Sequence, residues 1–424
     1  MSIRLRDSVP AHRWLLVAAG CHYGDMTPPA DHVGTPLPHD RFRPAARAAI
    51  APFYVMKVWA AAAERAARGE PVFNLAAGQP STPAPQPVLA AAHRALDTQI
   101  LGYTEAPGIA PLRDAIAGHY RRRYSLDVDA AHVVVTTGSS GGFVLAFLAA
   151  FDPGARVGLA RPGYPAYRNI LQALGCEVVD LPCGPETRFQ PTVAMLEGLD
   201  LDGLILASPA NPTGTMVTPG ELAGLAAFCA ARGIRLISDE IYHGITYGGA
   251  HGAPACAWST DRGGIVVNSF SKYFSMTGWR IGWLLVPDDL VDAVDAIAGN
   301  LAICPPAPSQ YAAIAAFDAY GECDGHVQRY AANRRLMIDG LAALGITKLA
   351  PADGAFYLYA DVSHLTDDSQ ALCWDLLARV GVASAPGLDF DPVDGRRYLR
   401  FSFAGDSETL EGALEALGRY LATG

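Results

Sequence analysis

Asn268-Ser-Phe-Ser-Lys-Tyr-Phe-Ser-Met-Thr-Gly-Trp-Arg-Ile-Gly282 lies between two apolar runs, Ile265-Val-Val267 and Trp283-Leu-Leu-Val286. Both runs read as buried strands, so Lys272 stands where a strand ends against the body of the domain. Desolvation disfavours a charged lysine there. A lone lysine in this position packs its stem on the core and lifts its ammonium to water. Here, however, Ser269 and Ser271 flank Lys272, and Arg280 follows. Hydroxyls and a guanidinium suit a phosphate. A desolvated lysine beside a cation has a lowered pKa and attacks carbonyl carbon as a free amine. Lysine, phosphate site and aldehyde chemistry together point to pyridoxal phosphate.

Ser-x-Ser-Lys272 followed by Gly278-Trp-Arg-Ile-Gly282 resembles the cofactor-lysine signature of class I/II aminotransferases, the aspartate-aminotransferase-like, fold-type-I pyridoxal-phosphate enzymes. The remaining motifs follow in the family's order over about residues 45 to 420, without an internal repeat.

The totals agree with an enzyme of this kind. The chain has 424 residues, half of them hydrophobic and 17% charged, with a net charge of −10. That length allows two or three domains and a large core. The acidic balance argues against a nucleic-acid partner, and no apolar run approaches the ~18 residues that span a bilayer. Eight scattered cysteines without a Cys-x-x-Cys pair suit a reduced, cytoplasmic protein and no metal site.

The first 44 residues differ from the rest. Trp14 to Gly20 is a short apolar run after Arg4, Arg6 and Arg13, but it sits at the bottom of the usual h-region range of about 7–15, and Asp7 interrupts the basic stretch. From Thr27 to Pro44 the chain is rich in Pro, His and Asp without periodicity. This segment reads as a disordered or partner-wrapping arm rather than a signal peptide or anchor.

Beyond the arm, Arg47 to Arg68 has helical spacing, ending at Gly69, and Val72-Phe-Asn-Leu75 is a short strand. Then comes an alternation of short β-prone runs: Val133–Thr137, Val157–Ala160, Val178–Leu181, Leu204–Ala207, Arg235–Ser238, Ile265–Val267 and Ile281–Val286. Most are separated by helix-length stretches such as Pro219–Arg232. The expectation is an α/β fold with a mostly parallel seven-stranded sheet between helices, plus a small α+β domain. The resemblance divides it into a large domain at 90–315 and a small one at 45–89 and 316–424. Parallel sheets bind ligands at the carboxyl ends of their strands, and the candidate residues fall there.

After the first strand, Thr137-Gly138-Ser139-Ser140-Gly141-Gly142 opens a helix whose N–H groups suit an anion. By resemblance, Gly138, Ser139 and Ser140 cradle the cofactor phosphate with Ser269 and Arg280. Tyr164 offers the ring a stacking face. Asn211, in Asn211-Pro-Thr-Gly214, donates to the phenolic oxygen, which Tyr242 shares. Asp239, at the end of an apolar strand, is an expensive carboxylate without a partner, and the protonated pyridine nitrogen fills that role. Arg400 matches the arginine that grips the substrate carboxylate. Phe401 and Phe403 flank it on the opposite face. Gly78 leaves room beside that carboxylate, with Asn211 and Tyr164 also bordering the substrate. Gly102-Tyr103-Thr-Glu-Ala-Pro-Gly108 resembles the family segment whose tyrosine reaches the phosphate of the neighbouring subunit, which implies a homodimer.

These roles imply an aminotransferase moving an amino group between an L-amino acid and a 2-oxo acid, with Lys272 as internal aldimine and proton carrier. A β-C–S lyase on the same scaffold is the nearest alternative. An aminotransferase-like regulator needs a DNA-binding module that residues 1–44 are too short to supply. No Lys or Arg occurs between Arg280 and Arg329, nor from Val133 to Gly154. A distal carboxylate therefore lacks a partner, and neutral donors are expected in a pocket of Tyr164, Ile303, Cys304 and Pro305. His39, Arg41 or Arg43 on the arm are the alternative source of charge.

Overall fold

The computed structural model describes residues 43–248 and 254–423. Most of the expected arm, including His39 and Arg41, lies outside the described residues. Ala46–Gly424 forms one compact unit.

In chain order the unit begins with α1 (Tyr54–Ala67), β1 (Phe73–Asn74), α2 (Gln86–Thr98) and α3 (Ala110–Tyr124). It continues with β2 (Val133–Thr136), α4 (Gly138–Ala150), β3 (Arg156–Arg161), α5 (Pro165–Leu174), β4 (Glu177–Pro182), α6 (Val193–Leu196), β5 (Gly203–Ala207) and α7 (Pro219–Arg232). Next come β6 (Arg235–Asp239), β7 (Ile265–Ser269), β8 (Gly282–Leu285), α8 (Val291–Ala302), α9 (Ala307–Ile314) and α10 (Tyr320–Ala343). The last elements are β9 (Tyr357–Asp361), α11 (Ser369–Val380), β10 (Val382–Ala383), β11 (Ala385–Pro386), β12 (Tyr398–Ser402) and α12 (Ser407–Leu421).

The main sheet has seven strands in the order β2-β8-β7-β6-β5-β3-β4. The ladders are parallel except around β8, which runs against both β2 and β7. This is the expected mostly parallel α/β sheet. Alternate residues supply two separate cores: Val133, Val135, Leu236 and Val266 face one side, and Val134, Ile237, Ile265 and Val267 the other. A sheet covered on both faces has this pattern of continuous apolar strands. Helices α4, α5 and α8 cover the second face through Phe143, Leu171 and Val294, while α3 and α7 cover the first through Ile116 and Leu222.

Local signals set most boundaries. Helix α7 matches its expected span because Thr218 and Glu221 form a reciprocal capping box and Gly233 closes it at φ +68°. Helix α1 starts later than its apolar spacing suggests. Ala46–Ala48 makes one 3-10 turn, and Pro52 biases Ala51 away from helical geometry. Strand β9 begins at Tyr357, just after Ala355 has adopted φ +55°.

The C-terminal part carries an antiparallel sheet, β11-β12-β9, and β1 pairs in parallel with β10. Strands β10 and β11 were not expected from sequence, since two-residue strands carry no periodicity. β12 is the central strand of its sheet, so Arg400 is buried at 3% exposure rather than sitting on a solvated edge.

Candidate active site

The carboxyl ends of β2, β3, β5, β6 and β7 open onto one cavity of about 620 Å³. Ten of the sequence-predicted residues line it: Gly78, Ser139, Ser140, Tyr164, Asn211, Asp239, Tyr242, Lys272, Arg280 and Arg400. They come from segments far apart in the chain and meet because the parallel strands end on one edge.

Lys272 follows β7 on the loop that reverses into β8. Buried Phe270 anchors the loop, its ring 4.9 Å from Trp283 and 5.4 Å from Phe317. The Lys272 Nζ donates to the Gly78 carbonyl at 2.7 Å. Burial, then Arg400 and Arg280, pull its pKa down to about 8, with Asp239 opposing. The lowered pKa puts a larger fraction of the amine in its neutral, nucleophilic form near physiological pH than an ordinary lysine has.

Asp239 ends β6 and is buried. Its Oδ2 accepts a short hydrogen bond from the Tyr167 hydroxyl, and Oδ1 accepts from Ile241 N at 3.1 Å. Burial raises its pKa to about 6, against those two bonds and Lys272. A cationic ring nitrogen would relieve this cost.

At the other end lies the start of α4. Thr137 at its N-cap position makes no side-chain cap, so the first N–H groups remain available to an anion. A Cβ at Gly138 would overlap the Arg280 guanidinium, and one at Gly282 would lie 3.0 Å from Ser139 N. Glycines there let backbone, hydroxyls and Arg280 converge. Ser269 does not line the cavity. Its Oγ donates to Ser271 Oγ at 2.8 Å and lies 3.2 Å from Ile281 O, while Ser271 faces the cavity.

Arg400 donates through Nη1 to Asn211 Oδ1 at 2.8 Å and through Nη2 to Ala76 O at 2.6 Å. Its Nε is buried without a partner. The guanidinium lies 4.4 Å from the Tyr357 ring centroid and 4.8 Å from that of Phe390. Tyr357 and Tyr242 share a hydroxyl contact at 2.7 Å. The space beside Gly78 is taken by the Tyr357 hydroxyl, so glycine there accommodates that tyrosine. Tyr164 meets Phe53 edge-on at 6.1 Å and Tyr167 at 5.3 Å, and burial raises its pKa to about 12.

The chain matches the family model "Aminotransferase class I and II" over residues 70–417. It is 58% identical over 383 residues to valine–pyruvate aminotransferase of Mycobacterium tuberculosis, covering 89% of this chain and 98% of that one. This chain belongs to the class I and II aminotransferases. An aminotransferase structure from M. tuberculosis superimposes with a TM-score of 0.88 at 58% identity, covering 90% of this chain and 100% of the other. The aspartate aminotransferase of Thermus thermophilus with maleate gives 0.83 at 31% identity, covering 89% and 100%.

Within this aminotransferase the structure separates two residue groups that the sequence had joined. Cys304 and Pro305 do not line the Lys272 cavity. They line a neighbouring one with Tyr103 and Thr137, because α8 ends at Ala302 on the outer side of α4. The apolar wall beside Lys272 is instead Phe53, Val55, Met56 and Trp59, at the start of α1. Tyr103 is 83% exposed and does not line the Lys272 cavity. Tyr167 and Tyr357 were missed. Tyr-x-x-Tyr167 at helical spacing after a strand end was the available signal for the first, and nothing local marked the second. Among the described residues, no group of three His, Cys, Asp or Glu side chains could hold a metal, and no helix is long and apolar enough to cross a membrane.

Proposed function

We propose that this aminotransferase holds pyridoxal phosphate in the Lys272 cavity and transfers the amino group of a neutral L-amino acid to a 2-oxo acid. The observation that carries this reading is the half-buried Lys272 amine sharing one cavity with a buried Asp239 held by Tyr167 and an uncapped helix start backed by Arg280. The donor set fits a flat ring with an anionic end and a basic nitrogen.

The bound cofactor supplies an aldehyde carbon for amine capture and a protonated ring that draws electrons from the substrate's Cα. Lys272 Nζ would bind that carbon at rest and, once displaced by the substrate amine, take up the Cα proton. Asp239 would hold the proton on the ring nitrogen, fixed in place by Tyr167. Ser139, Ser140, the α4 N–H groups and Arg280 would hold the phosphate, with Gly138 giving Arg280 room and Ser269 bracing Ser271. Tyr164 would cover the ring face. The Asn211 amide nitrogen is free to donate because its oxygen already serves Arg400. It and the Tyr242 hydroxyl would meet the phenolic oxygen, while Arg400 would grip the α-carboxylate with two donors.

The neutral preference rests on the lining. Among the described residues, the cations on the cavity are Lys272, Arg280 and Arg400, each assigned above. A second carboxylate buried there without a partner would cost several kcal/mol.

The exposed Tyr103, together with Ile100, Leu301 and Ile303, supports a homodimer in which Tyr103 serves the partner's phosphate site. The pairing of β1 with β10 supports a small domain built from both ends of the compact unit. Helix α2 packs on α9, which supports grouping α2 with the large domain. Seven unpaired cysteines among the described residues fit a reducing, cytoplasmic location.

Adding single amino acids to the cofactor-loaded protein, with no oxo acid present, tests the reading. A productive donor changes the cofactor absorbance and releases its own 2-oxo acid stoichiometrically. Pyruvate plus ammonia from a cysteine thioether would indicate the lyase instead.

A further inference from the structure

We infer that Asp389 is a positioning residue for this cavity: its carboxylate caps helix α1 and thereby fixes the apolar wall that faces the substrate side chain. The inference rests on the reading above that the Lys272 cavity receives the amino acid.

Helix α1 cannot cap itself, because Phe53 stands at its N-cap position without a side-chain acceptor. A helix start leaves its first N–H groups without intrahelical partners. Met56 N finds the Phe53 carbonyl at 3.1 Å. The two before it are met from the far end of the chain. Asp389 Oδ1 accepts from Tyr54 N at 2.8 Å and Oδ2 accepts from Val55 N at 2.7 Å. Asp389 is 8% exposed. Burying a carboxylate is costly unless its charge is answered, and here two N–H groups, the positive end of the helix and the nearby Arg400 answer it.

The loop that carries Asp389 is itself clamped to the cofactor side of the cavity. Arg161, at the end of β3, donates to Asp391 Oδ1 at 2.7 Å with both side chains buried. Gly163 N donates to Phe390 O at 2.9 Å. Three residues beyond Arg161 stands Tyr164, whose ring Phe53 touches, and Phe390 lies under the Arg400 guanidinium. The loop therefore ties three things together: the ring-facing tyrosine, the carboxylate-gripping arginine and the helix that walls the pocket. In the first turn Val55 is buried while Met56 is half exposed, so the cap adds to what Val55 alone anchors.

The test uses the full-length, cofactor-loaded protein with Asp389→Asn and Asp389→Ala. Amide hydrogen exchange over residues 53–58 reads the cap directly, and kcat, KM and cofactor affinity read its consequence. Loss of a helix cap corresponds to about a 3- to 30-fold change in an equilibrium. First-turn exchange should quicken by that factor in the Ala variant while the amides in the second half of α1 stay unchanged. KM for a neutral amino acid should rise by a similar factor, with kcat and cofactor affinity within about twofold of the parent. The Asn variant, which keeps one acceptor, should fall between. Unchanged first-turn exchange would overturn the cap. A parallel loss of kcat and cofactor affinity at constant KM would overturn the positioning role. If the parent protein turns over no amino acid at all, the proposed function fails, and the exchange result still decides the cap.

Discussion

Arg400 donates to the Asn211 side-chain oxygen at 2.8 Å, joining the central strand of the C-terminal sheet to the loop after β5. The contact takes up the amide oxygen and leaves the amide nitrogen as a donor, while the guanidinium keeps an unpartnered Nε. Replacing Arg400 by Ala removes a charge-assisted contact worth about 1.5–3 kcal/mol. KM should rise about 10- to 100-fold for every amino donor, since all share the α-carboxylate. Steady-state kinetics over a donor panel checks this, and a variant that loses only some donors would place the grip elsewhere.

Tyr167 and Asp239 set a pH dependence. Burial holds the Asp239 pKa up at about 6, and the Tyr167 hydrogen bond works against that rise. Tyr167→Phe removes the opposing bond, so the pKa moves further up. The ionised carboxylate, present only above its pKa, is then lost at higher pH. A hydrogen bond to a charged group of about 1.5 kcal/mol corresponds to about one pH unit. Cofactor affinity and kcat/KM measured against pH should show their acid limb displaced upward by about that amount. A displacement downward, or none, would remove Tyr167 from the role.

Lys272→Ala should lower turnover by several orders of magnitude while leaving the fold and cofactor binding, since the phosphate cradle and Asp239 are untouched. Borohydride reduction of the parent protein, followed by peptide mass spectrometry, should find the cofactor on Lys272. Label on a different lysine would displace the assignment.

The apolar wall at Phe53, Val55, Met56 and Trp59 predicts that aspartate trails alanine, methionine and phenylalanine by at least about tenfold in kcat/KM, about 1.4 kcal/mol. Met56→Lys puts a cation on a half-exposed face of that wall and should narrow the gap. Comparing kcat/KM for aspartate in both proteins measures it. Aspartate leading in the parent would point to a cation from outside the described residues.

The amino-acid sequence by itself determined the alternation of strands and helices, the placement of Lys272, Asp239, Asn211 and Tyr164 at strand ends, and the glycine-serine turn before α4. Those features depend on short-range physics: apolar periodicity, turn chemistry, and the rule that ligands meet parallel sheets at their carboxyl ends. Tertiary structure decided which apolar residues face the substrate. Cys304 and Pro305 lie close to the cofactor lysine in sequence, but α8 carries them outside α4, whereas Met56 and Trp59 arrive from more than two hundred positions upstream. It also decided that Gly78 makes room for Tyr357 and that a distant aspartate caps α1. Such contacts join residues hundreds of positions apart, and no local pattern encodes a partner that only chain folding brings within hydrogen-bond reach.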